Sequence, residues 1–263
     1  MTWIKICGIT NLDDALAASD AGANALGFVF YPKSPRHVTL ENAQSIIAKL
    51  PQSTKVEKVG VFVSETVEYV RDTVKQVGLT AVQLSGDESA EFSRALFQEL
   101  SNGSGRPTIF RTWPAKIFDA PADQTVGWDP VAAGLIEPDE AYKGKRVHKI
   151  HVAKNGDLFL ETHGFRPGVI SGVLLDSSSA EKPGGTGQAF DWERVQPWAG
   201  IINSISKLIV AGGLHPGNVQ EAIHLLHPWG VDVSSGVERE PGQKDARKVR
   251  AFVEAVRAME EAS

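Results

Sequence analysis

Two side chains and two turns in this sequence have the types and spacing that do chemistry. Cys7 closes the run WIKIC and is followed at once by Gly8. Asp176 closes a second apolar run, GVLLD. A thiol in such a place acts as a base when nearby positive charge favours its thiolate, although a lone cysteine is more often a buried, inert thiol. A carboxyl at the end of an apolar strand can be made a useful acid by partial burial, or it can cap the next turn. An acid and a base facing each other across a small molecule suit an isomerisation that moves a proton between carbon and oxygen. Further on, Gly212-Gly213 and Ser234-Ser235-Gly236 each follow a short apolar run. Glycines and hydroxyls at two neighbouring strand ends expose backbone N–H groups at one place, as a phosphate cup does; the alternative is two ordinary turns in which glycine only provides positive φ. Asp232 stands beside the second turn as a further candidate substrate contact. Arg36, in the loop PKSPRHV, offers a planar fork for a carboxylate or is a solvated loop charge. Ser85 and the flexible run Gly184-Gly185-Thr186-Gly187 complete the candidates.

The elements that would position these groups alternate. Apolar, partly β-branched runs at 3–7, 25–31, 58–63, 81–84, 146–152, 169–175, 207–211 and 230–233 read as strands. Between them lie helical patterns: from residue 12 to a stop at Gly22, from the Thr39 cap through Leu50, over 67–77 and over 88–100. Shorter helices are expected near 157–162 and within 190–198, then a helix from about 216 to 226 and a closing one over 245–259. Eight β-then-α units predict an α/β chain folded as a (β/α)8 TIM barrel, whose reactive groups gather at the C-terminal ends of the strands. An open doubly wound sheet is the alternative, but no G-x-G-x-x-G follows the first strand. Residues 102–145 break the pattern. They read as an insertion between helix 4 and strand 5, with one short strand at 108–113, set at the bottom face of one barrel domain spanning residues 1–263.

Composition bounds the function. The 263 residues are 42% hydrophobic and 22% charged, which suits one globular domain with a sizeable core. A net charge of −5 and the lack of any basic run argue against a nucleic-acid partner. No stretch approaches the ~20 apolar residues that span a membrane, and the N-terminal strand, with Lys5 in it, has no signal-peptide core. A single cysteine excludes an internal disulfide and fits a cytoplasmic setting. His148 and His151 fall on opposite faces of a strand, and His224 and His227 have no carboxylate beside them. No zinc spacing or cofactor motif is present, so neither metal nor cofactor is expected.

The blocks KICGIT (5–10), GFVFYPKSPRHV (27–38), KVGVFV (58–63), AVQLSG (81–86), LLDS (174–177), GGTGQAFDW (184–192), AGGLHPGNV (211–219), VDVSSGVE (231–238) and GQKD (242–245) appear in this order. Together they closely resemble the phosphoribosylanthranilate isomerase family. The resemblance implies a barrel enzyme of tryptophan biosynthesis that rearranges N-(5-phosphoribosyl)anthranilate to 1-(2-carboxyphenylamino)-1-deoxyribulose 5-phosphate without metal or cofactor. It implies that Cys7 is the general base and Asp176 the general acid. Arg36 would meet the anthranilate carboxylate, and Gly212, Gly213, Ser234, Ser235 and Gly236 would hold the phosphate. The family commonly reads VQLHG where this chain reads VQLSG, so Ser85 stands in place of a histidine. The implied partner is a phosphorylated small molecule, bound by a monomer or a homodimer. Two other readings stay open on the residues alone: an isomerase or epimerase of another sugar phosphate, and a non-catalytic phosphate-binding barrel.

Overall fold

Side-chain alternation along β1 (Trp3–Cys7) sets the plan of the molecule. Ile4 and Ile6 face one way, into a large apolar cluster shared with the helices; Trp3 and Cys7 face the other way, into the barrel interior. Both faces are covered, which is why all five residues are buried. In the computed structural model, described at residues 1–51, 54–101, 107–115, 136–138, 147–152, 158–163, 165–177 and 189–261, the chain continues in the same alternation. After β1 come α1 (Leu12–Asp20), β2 (Ala25–Val29), α2 (Leu40–Lys49), β3 (Glu57–Phe62), α3 (Val67–Val77), β4 (Ala81–Leu84) and α4 (Ala90–Ser101). Asn11, Thr39 and Thr66 cap three of these helices through their side-chain oxygens. Gly78 ends α3 in the left-handed conformation, at φ 78°.

The second half holds β5 (Thr108–Pro114), β6 (Ile136–Pro138), β7 (Val147–Val152), β8 (Leu158–His163), β9 (Phe165–Pro167) and β10 (Gly172–Asp176). Then follow α5 (Trp192–Ile205), β11 (Lys207–Val210), α6 (Val219–Leu226), β12 (Gly230–Val233), β13 (Glu238–Glu240), β14 (Gln243–Lys244) and α7 (Ala246–Glu261). Eight strands close into a barrel in the order β1-β12-β11-β10-β5-β4-β3-β2, every neighbouring pair parallel. The lower interior is filled by Trp3, Ala25, Val59, Ala81, Phe110, Leu174 and Ile209, one from each of seven strands. Trp3 stacks on Trp229 at 5.1 Å and meets Phe110 at 5.4 Å, so aromatic rings plug the barrel at its N-terminal end.

Two expectations are corrected here. The fifth barrel strand is β5, which the sequence reading had set inside an excursion over 102–145, and not the run at 146–152. β5 pairs with β4 on one side and β10 on the other, whereas β7 pairs antiparallel with β8 in a separate two-stranded sheet. The reason is visible in β5: Ile109 packs outward and Phe110 inward, as a barrel strand requires, whereas the flanking NGSGRP and the stretch rich in Pro, Asp and Ala made the strand read as part of an insertion. The excursion therefore leaves from the C-terminal end of β5, on the active face, and not from the bottom face after helix 4. The second correction is the short helix expected near 157–162; Leu158–His163 is a strand. In addition, α5 runs well past the expected 198, to Ile205, despite Pro197 inside it.

Candidate active site

At the C-terminal end of the barrel a pocket opens between the strand ends, and Cys7, Arg36, Ser85, Asp176, Asp232 and Ser234 all line it. Six of the candidates read from the sequence thus meet at one place, although they come from the ends of four barrel strands and one loop. β1 and β10 lie three places apart around the ring, so Cys7 and Asp176 approach the pocket from opposite sides. Gly184–Gly187, the other candidate loop, lies outside the described residues.

Cys7 sits in a space made by a missing side chain. Its partner across the β1–β2 ladder is Gly27. A Cβ there would lie 2.7 Å from Cys7 Sγ and 3.0 Å from Lys5 Cε, so a side chain at this position would have to push one or both aside. The Ser234 hydroxyl donates to the Cys7 carbonyl at 3.0 Å and ties the last strand to the first. Burial pushes the Cys7 thiol up from its ordinary range, and the Lys5 and Lys244 ammonium groups pull against that. Lys5, fully buried, has its Nζ 2.9 Å from Asp232 Oδ2, directly across the β1–β12 ladder. Burial alone would lower Lys5, but the Asp232 carboxylate and Cys7 outweigh it and hold the ammonium above its ordinary value. Asp232 accordingly faces both Lys5 and the pocket.

Arg36 is buried and held by its Nε and Nη2, which donate to the two carboxylate oxygens of Glu238 at 2.9 and 2.8 Å. Lys244 Nζ donates to the same carboxylate at 2.8 Å and to the Ser234 carbonyl at 3.2 Å. Burial opposes the charge on Glu238, yet these two cations more than offset it and keep the carboxyl below its ordinary range. The Arg36 stem crosses Gly8, where a Cβ would come within 2.6 Å of its Cδ. On the far wall Gln83 Nε2 donates to Ser85 Oγ and Thr112 Oγ1, each at 3.1 Å, and the two hydroxyls bond each other at 2.8 Å.

The two glycine turns are close-packed at this rim. Gly212 and Gly213 take φ of 74° and 67°, a region that penalises any side chain. A Cβ on Gly212 would lie 2.4 Å from Ser177 N and 2.8 Å from Asp176 Oδ1, so this turn presses against the end of β10. A Cβ on Gly236 would meet the Leu214 carbonyl oxygen at 1.9 Å, which brings the second turn against the first. The sequence reading missed Lys5, Gln83, Thr112, Glu238 and Lys244. Lys5 was legible, since a lysine two residues before Cys7 on a strand shares its face. Thr112 was hidden by the misplaced fifth strand, and the Glu238–Lys244 pair by its place beyond the last barrel strand.

The fold and this mouth define a TIM-barrel enzyme, with its reactive groups on the C-terminal strand ends. The particular family is given by comparison: the chain belongs to the N-(5'-phosphoribosyl)anthranilate isomerase family, whose model matches residues 4–117 and 137–255. It is 36% identical over 253 residues to the enzyme of that name from Geobacter sulfurreducens, covering 96% of this chain and 97% of the relative. It is 37% identical over 256 residues to that of Myxococcus xanthus, covering 97% and 96%. Among solved structures, phosphoribosyl anthranilate isomerase from Thermotoga maritima superposes with a TM-score of 0.70 at 33% identity, over 98% of this chain and 100% of that one. Another, in complex with reduced 1-(o-carboxyphenylamino)-1-deoxyribulose 5-phosphate, has a TM-score of 0.67 at 31% identity, with the same coverage.

Proposed function

We propose that this chain carries out the phosphoribosylanthranilate isomerase reaction of tryptophan biosynthesis with Cys7 as general base and Asp176 as general acid. The observation that carries the assignment of roles is the meeting of the thiol and the carboxyl in one pocket, from strands on opposite sides of the ring. The Asp176 carboxyl protonates the furanose ring oxygen; the ring C–O bond breaks and an iminium forms with the anthranilate nitrogen. The Cys7 thiolate removes the C2′ proton, and its electron pair neutralises the iminium to give an enolamine. The enolamine gains a proton at C1′ and loses the one on the C2′ oxygen, which yields the ketone. Return of a proton from the thiol to the carboxylate resets the site. Each positioned acid or base contributes about 10²–10⁴-fold.

Binding follows the same geometry. With Nε and Nη2 on Glu238, Arg36 offers its remaining nitrogen, Nη1, to the anthranilate carboxylate. The turns at Gly212-Gly213 and Ser234-Ser235-Gly236 hold the phosphate through backbone N–H groups, with Asp232 as a further substrate contact. A solved relative bound to a reduced product supports a carboxyphenyl ribulose phosphate as the ligand. We place the reaction in the cytoplasm, where a single free thiol stays reduced, and in a monomer or homodimer; a solved Thermotoga maritima relative derives from a dimeric enzyme. The test is the anthranilate fluorescence of phosphoribosylanthranilate. It should decay with purified protein, and a steady signal would overturn the reading in favour of a non-catalytic phosphate binder.

A further inference from the structure

The buried lysine beneath Cys7 has no place in the steps above, and its surroundings give it one. Lys5 is completely inaccessible, at 0% exposure. Burying an ammonium is costly, so an apolar residue would serve a plain barrel interior better. The contact with Asp232 Oδ2 is close, at 2.9 Å, and Asp232 Oδ1 is buried with no hydrogen-bond partner among the described residues. An ammonium carries three N–H donors, so one carboxylate oxygen leaves Lys5 able to serve a second acceptor. That acceptor lies on the same strand and the same face: Lys5 Cε and Cys7 Sγ both crowd the side-chain position left vacant at Gly27.

Among the described residues, charged groups surround Cys7 from several elements. Lys5 rises from β1, Arg36 from the loop after β2, and Lys244 from β14; Asp232 comes from β12 and Glu238 from β13. Asp176 and Tyr31 line the pocket beside them. The two ion-paired groups, Lys5 with Asp232 and Arg36 and Lys244 with Glu238, hold three cations against two carboxylates. One thiolate balances that surplus when Asp176 carries its proton, which is the charge state the reaction needs at its start.

We infer that Lys5 is a positioning residue for the Cys7 proton: its ammonium, shared between Asp232 and the Cys7 sulfur, sets the fraction of Cys7 present as thiolate. This rests on the reading of Cys7 as the base, but its test does not. Cys7 is the only cysteine in the chain, so alkylation by iodoacetamide reports on it alone. The pH dependence of the alkylation rate is measured for wild type against Lys5→Gln, and for Asp232→Asn against the double variant Lys5→Met/Asp232→Asn. The second comparison removes the ammonium without stranding a buried carboxylate, and circular dichroism reports whether each protein is folded. In both comparisons, loss of the ammonium should raise the midpoint by about one pH unit or more and slow alkylation at pH 7 about tenfold. Unchanged midpoints in folded variants would overturn the inference and leave Lys5 a structural ion pair between β1 and β12. If the midpoints rise while kcat/KM at pH 7 does not fall with them, the assignment of Cys7 as base fails and the hold of Lys5 on its proton stands.

Discussion

At the scale of single residues, the proposed mechanism needs an acid and a base, and the barrel brings Asp176 and Cys7 to one pocket. Cys7→Ala should cost about 10²–10⁴-fold in kcat, and Asp176→Asn the same, with little change in thermal stability. A mutant of either kind that keeps full turnover in the fluorescence assay would remove its residue from the mechanism. The pH behaviour of Cys7 has a definite sign. Burial favours the neutral thiol over the thiolate, and Lys5 and Lys244 only partly offset it, so the thiol titrates above its ordinary value. The rate of iodoacetamide addition to the wild-type protein should therefore still be climbing above pH 8.5, the ordinary thiol midpoint. A plateau below that pH would mean that the cations win over burial.

At the scale of elements, the proposed acid and base sit on strand ends and the proposed phosphate grip on turns. Gly212→Ala puts a Cβ at φ 74° and 2.4 Å from the Ser177 backbone nitrogen, so the turn must shift away from β10. We expect KM for phosphoribosylanthranilate to rise at least tenfold, about 1.4 kcal/mol of lost binding, with a smaller effect on kcat; an unchanged KM would argue against phosphate at this turn. Most elements were legible in the sequence because their signals are local. Asn11, Thr39 and Thr66 mark helix starts, and Gly78 marks a stop, within a few residues of where each acts. The fifth strand was legible as a short strand at 108–113, but not as a member of the barrel. Its run lies between NGSGRP and a stretch rich in Pro, Asp and Ala, so it read as part of an insertion, although Phe110 and Thr112 face the barrel interior. The run at 146–152 was the wrong choice because an antiparallel hairpin, as β7 forms with β8, satisfies a strand pattern as well as a barrel does. Cys7 and Asp176 were found from their strand ends, whereas the Arg36–Glu238–Lys244 network joins residues 202 positions apart and has no signature in either neighbourhood.

For the molecule as a whole, stability and chemistry occupy opposite ends of one barrel. The lower interior is closed by Trp3, Phe110 and Trp229, far from the charged upper layer. Phe110→Ala should lower stability by about 3–5 kcal/mol, read from urea unfolding, while KM stays within about twofold of wild type. A large change in KM with little loss of stability would mean that the two ends are coupled. Between them lies the position at which both meet, Gly27, whose absent side chain admits Lys5 and Cys7 together. Such a site has no smaller residue to retreat to, and any larger one must displace Lys5 or Cys7. In a library holding every amino acid at position 27, introduced into a tryptophan auxotroph that lacks its own isomerase, only glycine should support growth on minimal medium; colonies carrying alanine would show that the barrel can open at this point.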